Sequence, residues 1–429
     1  MSVVGETGTD VGGQGVRVVV VQDGARLNYA VPVGLQRRGC LERVYCDFYL
    51  RRRPWNRLLA WGADRLRPGS GVRLLKRRHP ELDDRFVHAP RLLSWRLARE
   101  RGRFPTPEAH YVHGAQLMGE FIRRHGYGRG NALFGFVRNL DPEVAAHARG
   151  RGLVVVVDQM IATMAEELRQ SRIQAERFPE WVAAAQPSDP ELMQLMECRT
   201  WENAHRITCA SDYVRDSLIE QGIRPDKIAV IPYPVDVRDF PYIDRMAGRP
   251  RREGVVAGCV GAVGLRKGTP YLVQVARRLP KVTFRLIGPM SLDVGKLSLP
   301  PNVQRVGVVP RHRVAEELAG MDIYFMPTTC EGSAVSILEA MATGLPVVTT
   351  PNAGSPVRHT VDGFVYPYDD LDDLVAAIET LAGDASLRQA MGRSAAERVR
   401  GLTVDRYAQA LLEVFSSVLT PSAAASSAV

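Results

Sequence analysis

Hydrophobic residues along this chain fall in short unbroken runs separated by longer amphipathic stretches, and that alternation occurs twice. In the first half, Val16–Val21, Glu42–Cys46, Ala132–Val137, Gly152–Val157, Arg206–Ala210 and Ile228–Ile231 read as strands. The runs VRVVVV and GLVVVV are β-branched without a polar alternate, the pattern of parallel strands buried on both faces. Helical spacing covers Leu27–Arg38, Gly114–His125, Ile161–Glu176, Pro190–Ala204 and a segment running from a cap at Ser211 to about Gln221. Pro32 must sit in or near the first turn of its helix, where its missing N–H costs nothing. The tract Arg51–Phe104 has no regular period.

The second half repeats the scheme. Strands are expected at Val255–Val260, Val282–Ile287, Val303–Val309, Ile323–Met326, Val347–Thr349 and Gly363–Val365. Helices are expected at Pro270–Arg278, Arg313–Leu318, Ser336–Ala342, Asp370–Leu381, Ala385–Val399 and Asp405–Leu419. Two runs of alternating strand and helix predict an α/β protein with two doubly wound, Rossmann-like sheets. The polar, proline-bearing stretch Asp236–Glu253 reads as the linker. The expected division is residues 1–236, joined by helix 404–420, and residues 237–403, with a disordered tail of small residues at 421–429.

Composition narrows the class. The chain has 429 residues, 45% hydrophobic and 24% charged, as in soluble globular proteins. No apolar run approaches the roughly 18–20 residues of a membrane span, and Met1–Val16 lacks the basic and apolar regions of a secretion signal. The expected location is the cytoplasm, with peripheral contact at the inner membrane face as an option. The six cysteines are scattered, form no CxxC pair and read as isolated buried thiols.

The net charge of +9 is concentrated in one tract. From Arg37 to Arg103 there are nineteen Lys and Arg against seven Asp and Glu. Such a surplus suits an anionic partner. One reading is an amphipathic stretch lying on an anionic membrane. The preferred reading is a solvated basic face with Trp55, Trp61 and Trp95 packed inside. Nucleic acid is not expected, because no binding module surrounds the basic residues.

The segment with the most chemistry is PTTCEGSAVSILEAMATGLP, Pro327–Pro346. A strand feeds a loop carrying Glu331, Gly332 and Ser333, and a helix begins near Ala334, so unpaired helix N–H groups can meet an anion. Glu339 follows eight residues after Glu331, slightly more than the about seven residues of two helical turns. The two carboxylates can then sit at different depths along one wall, one for a sugar and one for a ribose.

That segment resembles the E-x7-E signature of family-four retaining glycosyltransferases, whose typical form is EG followed by LEAMA-x-G-x-PVV. The resemblance extends to VGAVGLRKG at Val260–Gly268, similar to the family's donor-phosphate loop, to Gly288, to Ala353-Gly354-Ser355 and to IPYPVD at Ile231–Asp236. It covers Arg206–Val399 well and the first 200 residues weakly. It implies a GT-B fold, with two Rossmann-like domains facing across a cleft. It implies transfer of a sugar, with retention, from a UDP- or GDP-hexose to an acceptor hydroxyl in glycan, glycolipid or metabolite biosynthesis.

By the same resemblance Glu331 would contact the transferred sugar and Glu339 the ribose hydroxyls. The N–H groups of Ser333, Ala334 and Val335 would face sugar and diphosphate. Lys267 would neutralise the leaving diphosphate, with Gly261 and Gly264 letting the backbone approach it and Gly288 nearby. No cofactor and no metal are implied, and no DxD motif or His cluster argues for one. There are departures. Ala262 stands where relatives often have Arg, so Arg266 is the candidate second cation. Ser333 stands where Phe is common, and Val357 where Glu is.

The acceptor belongs to the first half. Asp23, Gly24 and Arg26 follow the first strand and should edge the cleft, as carboxyl ends of strands do. Asp158 ends GLVVVV and is open to three readings: an acceptor contact, a base, or a cap on the next helix. His113 and Arg138 are weaker acceptor-side candidates. Alternatives to the transferase are a catalytically degenerate nucleotide-binding scaffold, or a sugar-nucleotide epimerase or phosphorylase of the same fold. No pyridoxal lysine is evident for a phosphorylase. Hydride transfer is not expected, since no GxGxxG follows Val16–Val21.

Overall fold

The two valine-rich runs become central strands of one sheet in the computed structural model, which describes residues 15–56, 77–90, 92–182, 187–245, 254–290 and 297–419 and six positions between 57 and 76. That sheet contains β1 (Val18–Gln22), β2 (Leu41–Cys46), β3 (Val87–His88), β4 (Ala132–Phe136), β5 (Val154–Gln159), β6 (Arg206–Cys209) and β7 (Ile228–Val230). All seven strands are parallel, in the order β3-β2-β1-β4-β5-β6-β7. A second parallel sheet contains β8 (Val255–Val260), β9 (Val282–Ile287), β10 (Val303–Gly307), β11 (Ile323–Met326), β12 (Val347–Thr349) and β13 (Gly363–Val365), in the order β10-β9-β8-β11-β12-β13.

Strand order reverses between β1 and β4 in the first sheet and between β8 and β11 in the second. Doubly wound sheets bind ligands in the crevice at the carboxyl ends of such strands. Topology alone therefore singles out the loops after β1, β4, β8 and β11.

Helices cover both sheets. In the first half they are α1 (Ala30–Arg37), α2 (Leu93–Glu100), α3 (Pro107–His125), α4 (Pro142–Gly150), α5 (Met164–Arg177), α6 (Pro190–Asn203) and α7 (Asp212–Glu220). In the second they are α8 (Thr269–Arg278), α9 (Arg311–Ala319), α10 (Val335–Ala342), α11 (Leu371–Gly383), α12 (Ala385–Arg400) and α13 (Val404–Leu419). The core valines of β1 and β5 are buried, each worth roughly 1.5–3 kcal/mol relative to exposure. The last helix, α13, packs on α1 of the first sheet, where Arg37 pairs with Asp405 at 3.2 Å.

Several expectations are corrected. The helix expected from Leu27 begins at Ala30, because Leu27, Asn28 and Tyr29 take left-handed φ of 46°, 50° and 61°. The helix expected from Gly114 begins at Pro107, where the Thr106 hydroxyl accepts from the Ala109 N–H at 3.1 Å. Helix α4, capped by Asp141 ahead of Pro142, was not anticipated; nor were β3 and α2 inside the tract read as irregular. The strand from Val303 stops at Gly307, whose φ of 81° ends the extended run. Within the linker stretch, Tyr242 and Asp244 both accept from Gln389 of α12, so this part packs on the second domain. Residues 246–253 of that stretch, the tail at 421–429 and residues 1–14 lie outside the described residues.

Trp55, Trp61 and Trp95, expected inside, are exposed. Five cysteines are buried and Cys198 is half-buried. No described helix is long and apolar enough to cross a membrane.

Candidate functional site

The loop after β8 and the loop after β11 meet at the second sheet's switch point. Lys267, from the first, brings Nζ to 2.6 Å from a Glu331 carboxylate oxygen of the second. The Arg266 guanidinium pairs with that same oxygen and donates to the Cys330 carbonyl at 3.3 Å. Lys267 and Glu331 are largely buried whereas Arg266 is half-exposed, so the lysine interaction is the less screened of the two. Ion pairs of this kind are charge-assisted hydrogen bonds, stronger than neutral ones. The Lys267 chain lies across Gly261, where an added Cβ would stand 3.1 Å from Lys267 Cε.

The glycines join the strand-end loops. Gly261 donates its N–H to the Ile287 carbonyl at 2.8 Å, and Gly264 donates to the Thr269 hydroxyl at 3.0 Å. A Cβ on Gly288 would stand 1.9 Å from the Gly261 carbonyl oxygen. They bring strand-end loops together and shape the wall, with these amides already used. Gly332 is approached by the other domain, not by open space: an added Cβ would stand 1.7 Å from the Met160 carbonyl oxygen. At the start of α10 the Ala334 N–H is donated to the Ala353 carbonyl at 3.1 Å, so of the expected trio with Ser333 and Val335 this amide is taken.

Glu339, buried on α10, receives the Arg311 guanidinium at 2.5 Å. Burial pushes the Glu339 carboxyl up, and Arg311 pulls it back. The pair lines an interdomain cavity of about 490 Å³, together with Val335, Asp239, Leu27 and Asn28. Arg311 also lies over the Phe240 ring at 5.1 Å. No feature of the sequence around Arg311 marked it; α9 brings it in.

On the opposite side, Asp23, Gly24 and Arg26 line a cavity of about 620 Å³ with Asp47, Arg77, Tyr111 and Asn139. Asn139 donates to Asp23 at 3.1 Å, Gly24 donates its N–H to Asp47 at 2.8 Å, and Arg77 pairs with Asp47. Burial, then the nearby Asp47 charge, raises the Asp23 pKa to about 6 against the pull of Asn139, Arg26 and Arg77. The chain then enters the left-handed turn Leu27–Tyr29, roughly 1–2 kcal/mol of strain per residue, the kind of strain that collects at functional sites. Asp47, Arg77, Tyr111 and Asn139 were not among the sequence candidates, since the strands that assemble them are far apart in the chain.

Three candidates sit elsewhere. Asp158 is 1% exposed and accepts from Thr208 at 2.8 Å and Tyr233 at 2.5 Å. Burial holds its pKa near 6 despite those bonds. It does not cap the following helix; Thr163 does. His113 bonds Glu100 at 3.2 Å and lies against the Phe104 ring, tying α3 to α2 outside the cavity. Arg138 is clamped by Glu197 at 2.8 Å and Glu167 at 2.7 Å. Among the described residues no group of three or more His, Cys, Asp or Glu could hold a metal ion.

Residues 254–384, the segment holding Lys267, Glu331 and Glu339, match the family model for Glycosyl transferases group 1. The chain is 26% identical over 339 residues to D-inositol 3-phosphate glycosyltransferase of Kribbella flavida, spanning 72% of this chain and 76% of that one. It is 30% identical over 157 residues to the sulfoquinovosyl transferase SQD2 of Arabidopsis thaliana, spanning 35% of this chain and 30% of that one. Among solved structures it is similar to sucrose-phosphate synthase from Thermosynechococcus elongatus, with a TM-score of 0.65 at 14% identity over 94% of this chain and 99% of that one. It is also similar to Anabaena HepE in complex with UDP and glucose, with a TM-score of 0.59 at 15% identity over 94% and 100%. With the pair of switch-point crevices, these likenesses make residues 254–384 a group 1 glycosyltransferase domain, in a chain that has the GT-B fold of two facing Rossmann-like domains.

Proposed function

We propose that the chain transfers a hexose from a nucleoside diphosphate to an acceptor hydroxyl with retention at the anomeric carbon, in the cytoplasm, without metal or cofactor. The observation that carries this reading is the Glu331 carboxylate 2.6 Å from Lys267 Nζ at the second sheet's switch point. Lys267 and Arg266 exchange Glu331 for the donor diphosphate, and Glu331 then accepts from sugar hydroxyls. As the bond from anomeric carbon to phosphate oxygen breaks, charge grows on the diphosphate where the two cations wait. The acceptor hydroxyl attacks from the same face, and its proton passes to the departing phosphate oxygen. Glu339 takes the ribose hydroxyls in the neighbouring cavity. Asp23 accepts from the acceptor in the larger cavity. Ala262, where relatives often have Arg, favours a degenerate scaffold; Arg266 beside Lys267 on Glu331 is the second cation and favours catalysis.

UDP-hexose is the first donor to try, since HepE is recorded with UDP and with UDP-glucose. The test is a thermal-shift panel of UDP- and GDP-sugars and free diphosphates, with and without chelator. The expected result is a selective, chelator-insensitive rise in melting temperature. A flat panel, or a rise that chelator abolishes, overturns the metal-free transferase reading.

A further inference from the structure

The segments after β2 and β3 leave the carboxyl end of the first sheet side by side, because those strands are parallel neighbours pairing Val44 with Val87 and Tyr45 with His88. Both present large hydrophobic side chains to solvent. Trp55 is 50%, Leu58 70% and Trp61 60% exposed after β2, and Leu92 68% and Trp95 60% after β3. Large apolar side chains exposed on two neighbouring segments point to an interaction surface.

Each tryptophan carries an arginine over its ring: Arg53 on Trp55 at 5.6 Å, Arg65 on Trp61 at 4.8 Å, Arg99 on Trp95 at 5.4 Å. Helix α2 is two-sided. Leu93 and Leu97 line the cavity that holds Asp23, while Trp95, Arg96 and Arg99 are exposed. The same tract holds the basic surplus of the chain.

The chemistry selects a partner. Indole rings favour a boundary between apolar and wet phases, and arginine stems lie along apolar surface with the charge kept in water. An anionic bilayer offers both at one depth. A nucleic acid would leave Leu58 and Leu92 without a counterpart, and a second copy of this face would set arginine against arginine.

We propose that this face docks on an anionic lipid bilayer, and that the acceptor is a membrane-held molecule whose polar head enters the cavity behind α2. The second half of this rests on the transferase reading; the first does not.

The test is co-sedimentation of the full chain with vesicles of phosphatidylglycerol and phosphatidylcholine in equal parts, and of phosphatidylcholine alone, at low and high salt. A triple variant, Trp55→Ser with Trp61→Ser and Trp95→Ser, is run beside it. These side chains are exposed, and an unchanged melting temperature verifies the variant's fold. We expect the native chain to prefer anionic vesicles by at least ~10-fold, to release with salt, and to lose at least ~10-fold in the variant. Equal binding by the variant, or no preference for anionic lipid, overturns the docking face. So does self-association in sedimentation velocity that the variant abolishes. Vesicle binding by a chain that no nucleotide stabilises supports the face and rejects the acceptor half. A nucleotide-induced rise without vesicle binding rejects the membrane proposal and leaves the transferase reading intact.

Discussion

Gly332 lies against Met160 so closely that a Cβ would stand 1.7 Å from the Met160 carbonyl oxygen and 2.8 Å from Ile161 Cα. The Ser211 hydroxyl, also from the first domain, donates to the Gly332 carbonyl at 2.5 Å. The residue beside the proposed sugar-binding Glu331 is therefore wedged onto the opposite domain. Gly332→Ala must push the domains apart. We expect transfer to fall about 100-fold, the usual effect of displacing reacting groups by roughly 1 Å, and the radius of gyration from solution scattering to rise. Normal turnover with unchanged scattering would show that this contact does not position the site.

Lys267 and Arg266 share one Glu331 oxygen but differ in exposure. Lys267→Ala should lower kcat by about 10²–10³-fold, the typical loss of a preorganised electrostatic group. Arg266→Ala, at a solvent-screened position, should cost clearly less. Equal effects of the two substitutions would remove the distinction drawn from burial.

Arg138 reads as a structural clamp. Glu197 is fully buried, and it also accepts from Gln159 at 2.9 Å and from the Met164 N–H at 2.8 Å. Arg138→Met leaves that carboxylate without its cation, a change that typically costs about 3–5 kcal/mol. The urea midpoint should drop, while nucleotide affinity of the folded fraction stays as it was. A specific loss of acceptor turnover with stability unchanged would return Arg138 to the acceptor site.

Asp158 makes stability pH-dependent. Its pKa is raised from 3.8 to about 6, chiefly by burial. The folded state thus holds a proton that the unfolded state has lost between those values. Stability from this group is present below the unfolded pKa and is lost as pH rises through about 6, on the order of 2–3 kcal/mol. Asp158→Asn should flatten the fall in urea midpoint between pH 4 and pH 7 relative to the native chain. Parallel curves would show that the buried carboxyl titrates normally.

The strands of both sheets other than β3 were legible because a buried parallel strand needs an unbroken apolar run, and Val18–Val21 and Val154–Val157 have one. Helix α4 was overlooked although Asp141-Pro142 is a cap followed by a proline at the first turn. The left-handed turn at Leu27–Tyr29 has no glycine to announce it. Glu331 and Glu339 were singled out by their spacing and Lys267 by the family resemblance alone, and the structure sets Lys267 against Glu331.

The amino-acid sequence by itself determined the two doubly wound halves and the identity of the charged groups at the second switch point, since these depend on local periodicity and short loops. Tertiary structure decided their partners: Glu331 meets Lys267 because β8 and β11 are neighbours, and Glu339 meets Arg311 because the first residue of α9 reaches it. It also decided that Asp158 is sealed by Tyr233 and Thr208, and that Trp55, Trp61 and Trp95 face outward. Pairing and exposure depend on which segments pack side by side, and residues far apart in the chain carry no local mark of that.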